Sequence, residues 1–175
     1  MKKILIVSAT LKNNFKLANN LNKYINDLSK SKSLNLITNI ISLENFRLPV
    51  YTEDNFDLHI NEYRETIENL TKSFTECDGI IMCAPEYNGS TPPIVNNAIA
   101  WISTSTDYWR DAFNDKTALV CTNSGGPGSK YISIMKLQLE HLGCIVMPRA
   151  ISTNKNNPLN QKSVNKILTQ FIKHI

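Results

Sequence analysis

The residues best suited to hold a ligand run Ala84-Pro85-Glu86-Tyr87-Asn88-Gly89-Ser90-Thr91-Pro92-Pro93. They follow an apolar run, Gly79 to Ala84, and precede a helix-like one, Ile94 to Trp101. The segment is therefore a turn-forming loop at the carboxyl end of a buried strand, and in open α/β sheets ligands bind in the crevice outside those ends. Tyr87 offers an aromatic face, Asn88 an amide, and Gly89 a backbone that can be approached closely because no Cβ intervenes. Such groups suit a flat heterocycle better than a hydrolytic substrate.

Two further loops belong to the same rim, because both follow strands. Ser8-Ala9-Thr10-Leu11-Lys12-Asn13-Asn14 sets hydroxyls and amides just ahead of a helix. Backbone N–H groups at a helix N-terminus favour a phosphate, and the same residues also read as ordinary capping by Asn13 or Asn14. Thr122-Asn123-Ser124-Gly125-Gly126-Pro127-Gly128 reads either as a plain glycine-rich turn or as a backbone that approaches a ligand. It completes neither motif it partly matches. Gly128-Ser129-Lys130 lacks the adjacent Gly-Lys of a P-loop, and Ser124 lacks the upstream glycine of a G-x-S-x-G nucleophile elbow.

The elements that must position these loops alternate. Strands are expected at Lys2 to Val7, Asn35 to Leu43, Asp78 to Ala84, Thr117 to Thr122 and Cys144 to Met147. Helical spacing covers Asn14 to Leu28, with Leu17, Leu21, Ile25 and Leu28 on one face, then Ile60 to Phe74, Ile94 to Ile102, Ser129 to Leu142 and Val164 to Ile172. A long connection from Glu44 to Leu58 carries Phe46, Tyr51 and Phe56. The Pro92-Pro93 pair is tolerated in a first helical turn, and Gly143 ends the fourth helix. Five strands alternating with helices imply an α/β fold, a three-layer doubly wound parallel sheet in the flavodoxin-like order 2-1-3-4-5.

Length and composition bound the rest. With 175 residues and 42% hydrophobic content, the chain is expected to form a single domain over 1–175. Its apolar stretches are strand-sized, well short of the roughly 20 residues of a membrane helix. Met1-Lys2-Lys3 leads into a short apolar run and then polar residues, so a first strand is expected rather than a signal peptide, with a cytoplasmic location. The net charge is +4, but the basic residues are spread over helical stretches, such as Lys12, Lys16, Lys23, Lys30 and Lys32, which reads as a solvated helix face and not as a nucleic-acid site. Cys77, Cys83, Cys121 and Cys144 form no CxxC pair and read as buried thiols. His59, His141 and His174 have no i, i+4 partner, so no metal site is expected.

Pro85-Glu86-Tyr87-Asn88-Gly89-Ser90, then Pro92, then Asn97-Ala98-Ile99 with Trp101, resembles the signature of the NADPH-dependent FMN reductase family. That flavodoxin-like family also contains azo-dye, quinone and chromate reductases. Leu48-Pro49-Val50-Tyr51 with Asp54 resembles its second-loop motif. The resemblance implies that Pro85, Glu86, Tyr87, Asn88 and Gly89 line the isoalloxazine of FMN, and that Thr122, Asn123, Ser124, Gly125 and Gly126 meet its polar rim. It carries Ser8, Thr10 and Asn14 over as phosphate contacts. The family's glycine after strand one and the arginine that follows are missing, the loop is about two residues short, and Lys12 stands as a substitute cation. Pro93 and Ala100 also depart from the family, where glycine and an acidic residue are usual.

The activity so implied is an FMN-dependent NAD(P)H oxidoreductase passing hydride to a quinone, azo compound, free flavin or metal oxyanion. No side chain need act as general acid or base, so no catalytic residue is nominated. Arg47, Arg110 and Lys130 are candidates for a 2′-phosphate, which leaves NADPH and NADH both open. The rival readings are a flavodoxin-type one-electron carrier and a hydrolase using Ser124 with His141. The resemblance further implies a homodimer or tetramer, with the helix Ile94 to Ile102 and the aromatics Tyr108, Trp109 and Phe113 at the subunit boundary.

Overall fold

Every strand pairing in the computed structural model is parallel, and the order is β2-β1-β3-β4-β5. The backbone of residues 1–175 is described, together with every side chain except those of Asn55, Phe56, Asp57, His59 and Ile60. Phe56 and His59, named above, therefore lie outside the described side chains. The strands are β1 (Lys2–Ser8), β2 (Leu36–Ser42), β3 (Gly79–Cys83), β4 (Thr117–Asn123), β5 (Ile145–Val146) and β6 (Ile151–Thr153). The helices are α1 (Asn13–Ser31), α2 (Glu53–Thr75), α3 (Pro93–Ser103), α4 (Ser129–His141) and α5 (Gln161–Lys173).

The central strands read as unbroken apolar runs because both faces are covered. Leu5, Val7, Ile80, Met82, Ala118 and Val120 pack under α2, α3 and α4, against Leu70, Phe74, Val95, Ile102, Met135 and Leu139. Their neighbours Ile4, Ile6, Ile81, Cys83, Leu119 and Cys121 face α1 and α5, against Leu17, Leu21, Ile25, Ile167, Leu168 and Phe171. The period of two along each strand thus feeds two cores.

Two expectations need correction. The fifth strand is not a single run over Cys144 to Met147: Ile145–Val146 pairs with the start of β4, and Ile151–Thr153 pairs with its end. Between them Met147-Pro148-Arg149-Ala150 stands opposite only Leu119-Val120, and Pro148 has no N–H to give the ladder, so the edge bulges there. The second helix begins at Glu53, not at Ile60. Its first turn lacks apolar periodicity, while Glu53 and Asp54 place negative charge at the positive end of the helix dipole.

Candidate functional site

The loops after β1, β3 and β4 meet at the carboxyl edge of the sheet and are tied together by hydrogen bonds. Asn14, buried at the start of α1, donates its amide to the Asn123 carbonyl (2.9 Å) and accepts from the Asn123 N–H (2.8 Å), which joins the first loop to the third. The Glu86 N–H donates to Ser124 Oγ (2.8 Å), which in turn pairs with Thr122 Oγ1 (2.8 Å), and this joins the second loop to the third. Ser8 is fully buried and donates to the Thr10 carbonyl at 2.6 Å, turning the first loop back on itself.

A cleft of about 690 Å³ opens between them. Of the residues expected there, Thr10, Lys12, Asn14, Pro85, Glu86, Tyr87, Asn123, Ser124 and Gly125 line it. Ser8 and Thr122 lie beneath it as buried braces, and Asn88, Gly89 and Gly126 stand outside its lining. Leu11, Asn13, Glu44 and Lys155 line it as well, and no motif in the sequence points to Glu44 or Lys155. Lys155 follows β6, a strand that the sequence pattern did not disclose; recognising that strand was the only signal available.

Asn88 and Gly89 have a conformational task. Their φ values are 51° and 73°, and Tyr87 and Ser90 exchange backbone hydrogen bonds of 3.1 and 2.9 Å across them. That geometry has the positive φ at both central positions of a type I′ turn, the turn Asn-Gly favours. The turn holds Tyr87 at the cleft, 49% exposed.

Glu86 also has a structural partner: its carboxylate accepts from the N–H groups of Lys130 (2.9 Å) and Tyr131 (3.3 Å) and so caps α4. Behind the cleft, Tyr131 donates its hydroxyl to the Met82 carbonyl (3.2 Å), and burial holds its phenol well above its usual pKa. Asn97 and Trp101, from the signature's second half, fasten the preceding loop. Asn97 accepts from the Tyr51 N–H (2.7 Å), and both side chains donate to the Pro49 carbonyl at 2.9 Å.

The first turn of α1 has no side-chain cap. Its N–H groups, with Lys12 and Lys155 at the cleft, form the donor set a phosphate requires. Gly125 adds an open wall, since a Cβ there would meet no atom within 4 Å. The described residues accordingly fit the FMN that the resemblance implies, offering an exposed aromatic face, an open backbone and uncapped N–H groups beside two lysines. They do not fit a Ser124 nucleophile. Ser124 Oγ is engaged by Thr122 and Glu86, while His141 lies at the far end of α4, 5.3 Å from the Trp109 ring. Among the described residues no cluster of three or more His, Cys, Asp or Glu could hold a metal ion.

A doubly wound sheet with a three-loop cleft at its carboxyl edge defines a flavodoxin-like protein, and solved structures agree. The flavoenzyme NAD(P)H:(acceptor) oxidoreductase FerB from Paracoccus denitrificans superposes with a TM-score of 0.70, at 22% identity, covering 99% of each chain. An azoreductase from Bacillus anthracis gives 0.64 at 14% identity, over 99% of this chain and 96% of that one. The family profile for NADPH-dependent FMN reductase matches residues 2–158, and the chain belongs to that family. Among curated relatives, an NADPH:quinone oxidoreductase of Arabidopsis thaliana is 33% identical over 75 residues, 42% of this chain and 36% of that protein. A quinone reductase of Escherichia coli K12 is 29% identical over 96 residues, 55% of this chain and 46% of that protein. These matches span less than half the length of either relative.

Proposed function

We propose that the protein is an FMN-dependent NAD(P)H oxidoreductase that delivers electrons to a small acceptor of the quinone, azo, free-flavin or metal-oxyanion kind. The observation that carries the reading is the cleft itself, an exposed tyrosine at one wall and an uncapped helix start with two lysines at another, in a chain of the FMN reductase family. When bound, FMN supplies the hydride-accepting chemistry. The protein binds and orients: Tyr87 and Pro85 bound the ring position, Gly125 leaves backbone open at the rim, and the start of α1 with Lys12 holds the phosphate end.

The reading is tested by following NADPH and NADH oxidation with FMN present, against a panel of a quinone, an azo dye, free flavin and chromate. Turnover that requires both FMN and an acceptor is expected; no FMN-dependent consumption of either nucleotide at micromolar protein overturns it. A one-electron carrier remains the second reading because an archaeal flavodoxin shares the fold, at a TM-score of 0.62 and 12% identity. The net charge of +4 favours the reductase, since flavodoxin-type carriers tend to be strongly acidic. Four free cysteines fit a cytoplasmic location, where reduced nicotinamides are also made.

We also propose a homodimer, able to pair into a tetramer, that completes the nicotinamide cleft. Support comes from a surface on α4 and the loop after α3 where Leu137 is 67% exposed, with Ile134, Tyr108 and Trp109 also exposed. Arg110 lies 4.3 Å over the Trp109 ring, and its buried Nε has no partner, nor does Gln138 Oε1. Aromatic residues with arginine are enriched in interface cores. Phe113, expected to join them, is instead fully buried 5.4 Å from Phe74, and α3 turns Val95, Ala98, Ile99, Trp101 and Ile102 inward.

A further inference from the structure

We propose that Lys155 is a phosphate-binding residue of the cleft, acting together with Lys12; the inference rests on the FMN reading above. Four charged residues line the cleft: Lys12, Glu44, Glu86 and Lys155. Both carboxylates are engaged by backbone donors of the protein itself. Glu44 accepts from the Leu11 N–H at 2.6 Å, and Glu86 caps α4 through the N–H groups of Lys130 and Tyr131. Neither lysine has an ion-pair partner among the described residues. Both ammonium groups are thus free of side-chain carboxylates and available to a phosphate monoester, which carries roughly −1.5 to −2 at neutral pH.

The mounting of Lys155 supports the assignment. Asn154 Oδ1 accepts from the N–H groups of Asn156 and Asn157, both at 2.9 Å, and Asn157 donates its amide to the Ser152 carbonyl at 3.1 Å. This tight turn carries Lys155 at its tip. The strand before it is fastened to the third loop, since Thr153 Oγ1 accepts from the Asn123 amide (2.9 Å) and the Thr153 carbonyl from the Ser124 N–H (3.2 Å). Asn123 is the residue to which Asn14 fixes the start of α1. The backbone of Lys155 and the uncapped N–H groups of α1 are therefore held to one anchor, while a four-carbon stem leaves the ammonium free to settle on a phosphate. Lys155 also borders a neighbouring depression with Asn13 and Lys16, which places it beside the first turn of α1.

The test is a fluorescence-quenching titration of the apoprotein with FMN and with riboflavin, which lacks the phosphate. The wild-type protein, Lys155→Met and, as a control at an exposed position of α5, Lys162→Met are compared. Lys155→Met is expected to weaken FMN about five- to tenfold, as loss of one solvent-reached charged contact does, while riboflavin stays within about twofold. Lys162→Met is expected to change neither. An unchanged FMN affinity in Lys155→Met overturns the proposal, and so does an equal loss for both flavins, which would mark a distorted loop. A wild-type protein that binds neither flavin sinks the FMN reading itself, a result distinct from both.

Discussion

At Gly125 the backbone is not left-handed and an added Cβ meets no atom within 4 Å, so neither conformation nor packing requires glycine there. What a side chain would occupy is the cleft. Gly125→Leu is therefore expected to leave stability within about 0.5 kcal/mol and to weaken FMN and riboflavin together; thermal melts beside a quenching titration would check it, and unchanged affinity for both flavins would show that the ligand does not pass this wall. Gly128 differs, with φ at 66° and a Cβ that would fall 2.8 Å from Thr122 Cγ2. Asn14 shows how far residue types could be read. Its type and place marked it as a phosphate ligand or a cap, but its amide clamps Asn123, a partner 109 positions away that no local pattern discloses. Asn14→Ala is expected to cost about 1 to 2 kcal/mol of stability, because it removes both hydrogen bonds to part-buried backbone groups of Asn123, and to loosen both flavins, not FMN alone. The segment was legible as turn-forming, but Asn88 and Gly89, read there as an amide and an open backbone for a ligand, make the turn itself and lie outside the cleft lining.

Among the elements, α4 depends on a cap supplied from another part of the chain. Glu86, from the loop between β3 and α3, takes the place of a local N-cap, because Gly128 at that position has no side chain to offer. Glu86→Ala is expected to cost about 1 to 2 kcal/mol in chemical denaturation. A second tie holds the opposite edge of the sheet. Asp78 accepts from the Lys3 N–H (2.7 Å) and from Lys2 Nζ (3.1 Å), and the Lys3 hydrogen bond holds its carboxyl below the usual value of 3.8. Its folded pKa is thus depressed, so its contribution is fully present above pH 3.8 and is lost as pH falls through the folded value. Asp78→Asn should accordingly destabilise by about 1 kcal/mol near neutrality, its side chain being partly exposed, and the gap to wild type should close in strong acid. The strand and helix alternation was legible from apolar periodicity. The split β5 and β6 edge was not, since two and three residues are too few to show a period, and neither was the acidic first turn of α2.

The order of the sheet followed from the alternation of elements at this length, and it brings the three loops to one edge with no further information. Assembly was legible only in part: Tyr108 and Trp109 are exposed as expected, but Leu137 and Ile134 join them from a helix whose outward face the sequence did not single out. If that surface is the dimer contact, Leu137→Asp should yield a monomer in light scattering coupled to size exclusion, with unchanged circular dichroism and reduced NAD(P)H turnover. A wild-type monomer with full turnover would contradict it. Burial raises three of the thiols: Cys77 is pushed up to about 11 and Cys144 to about 12, and Cys121 lies well above its usual value. The proposed flavin site is most directly tested by a crystal structure of the protein soaked with FMN. The phosphate is expected within hydrogen-bonding distance of the N–H groups of Asn13 and Asn14, with the ring system beside Tyr87; FMN bound elsewhere, or a cleft left empty at saturating FMN, would contradict it.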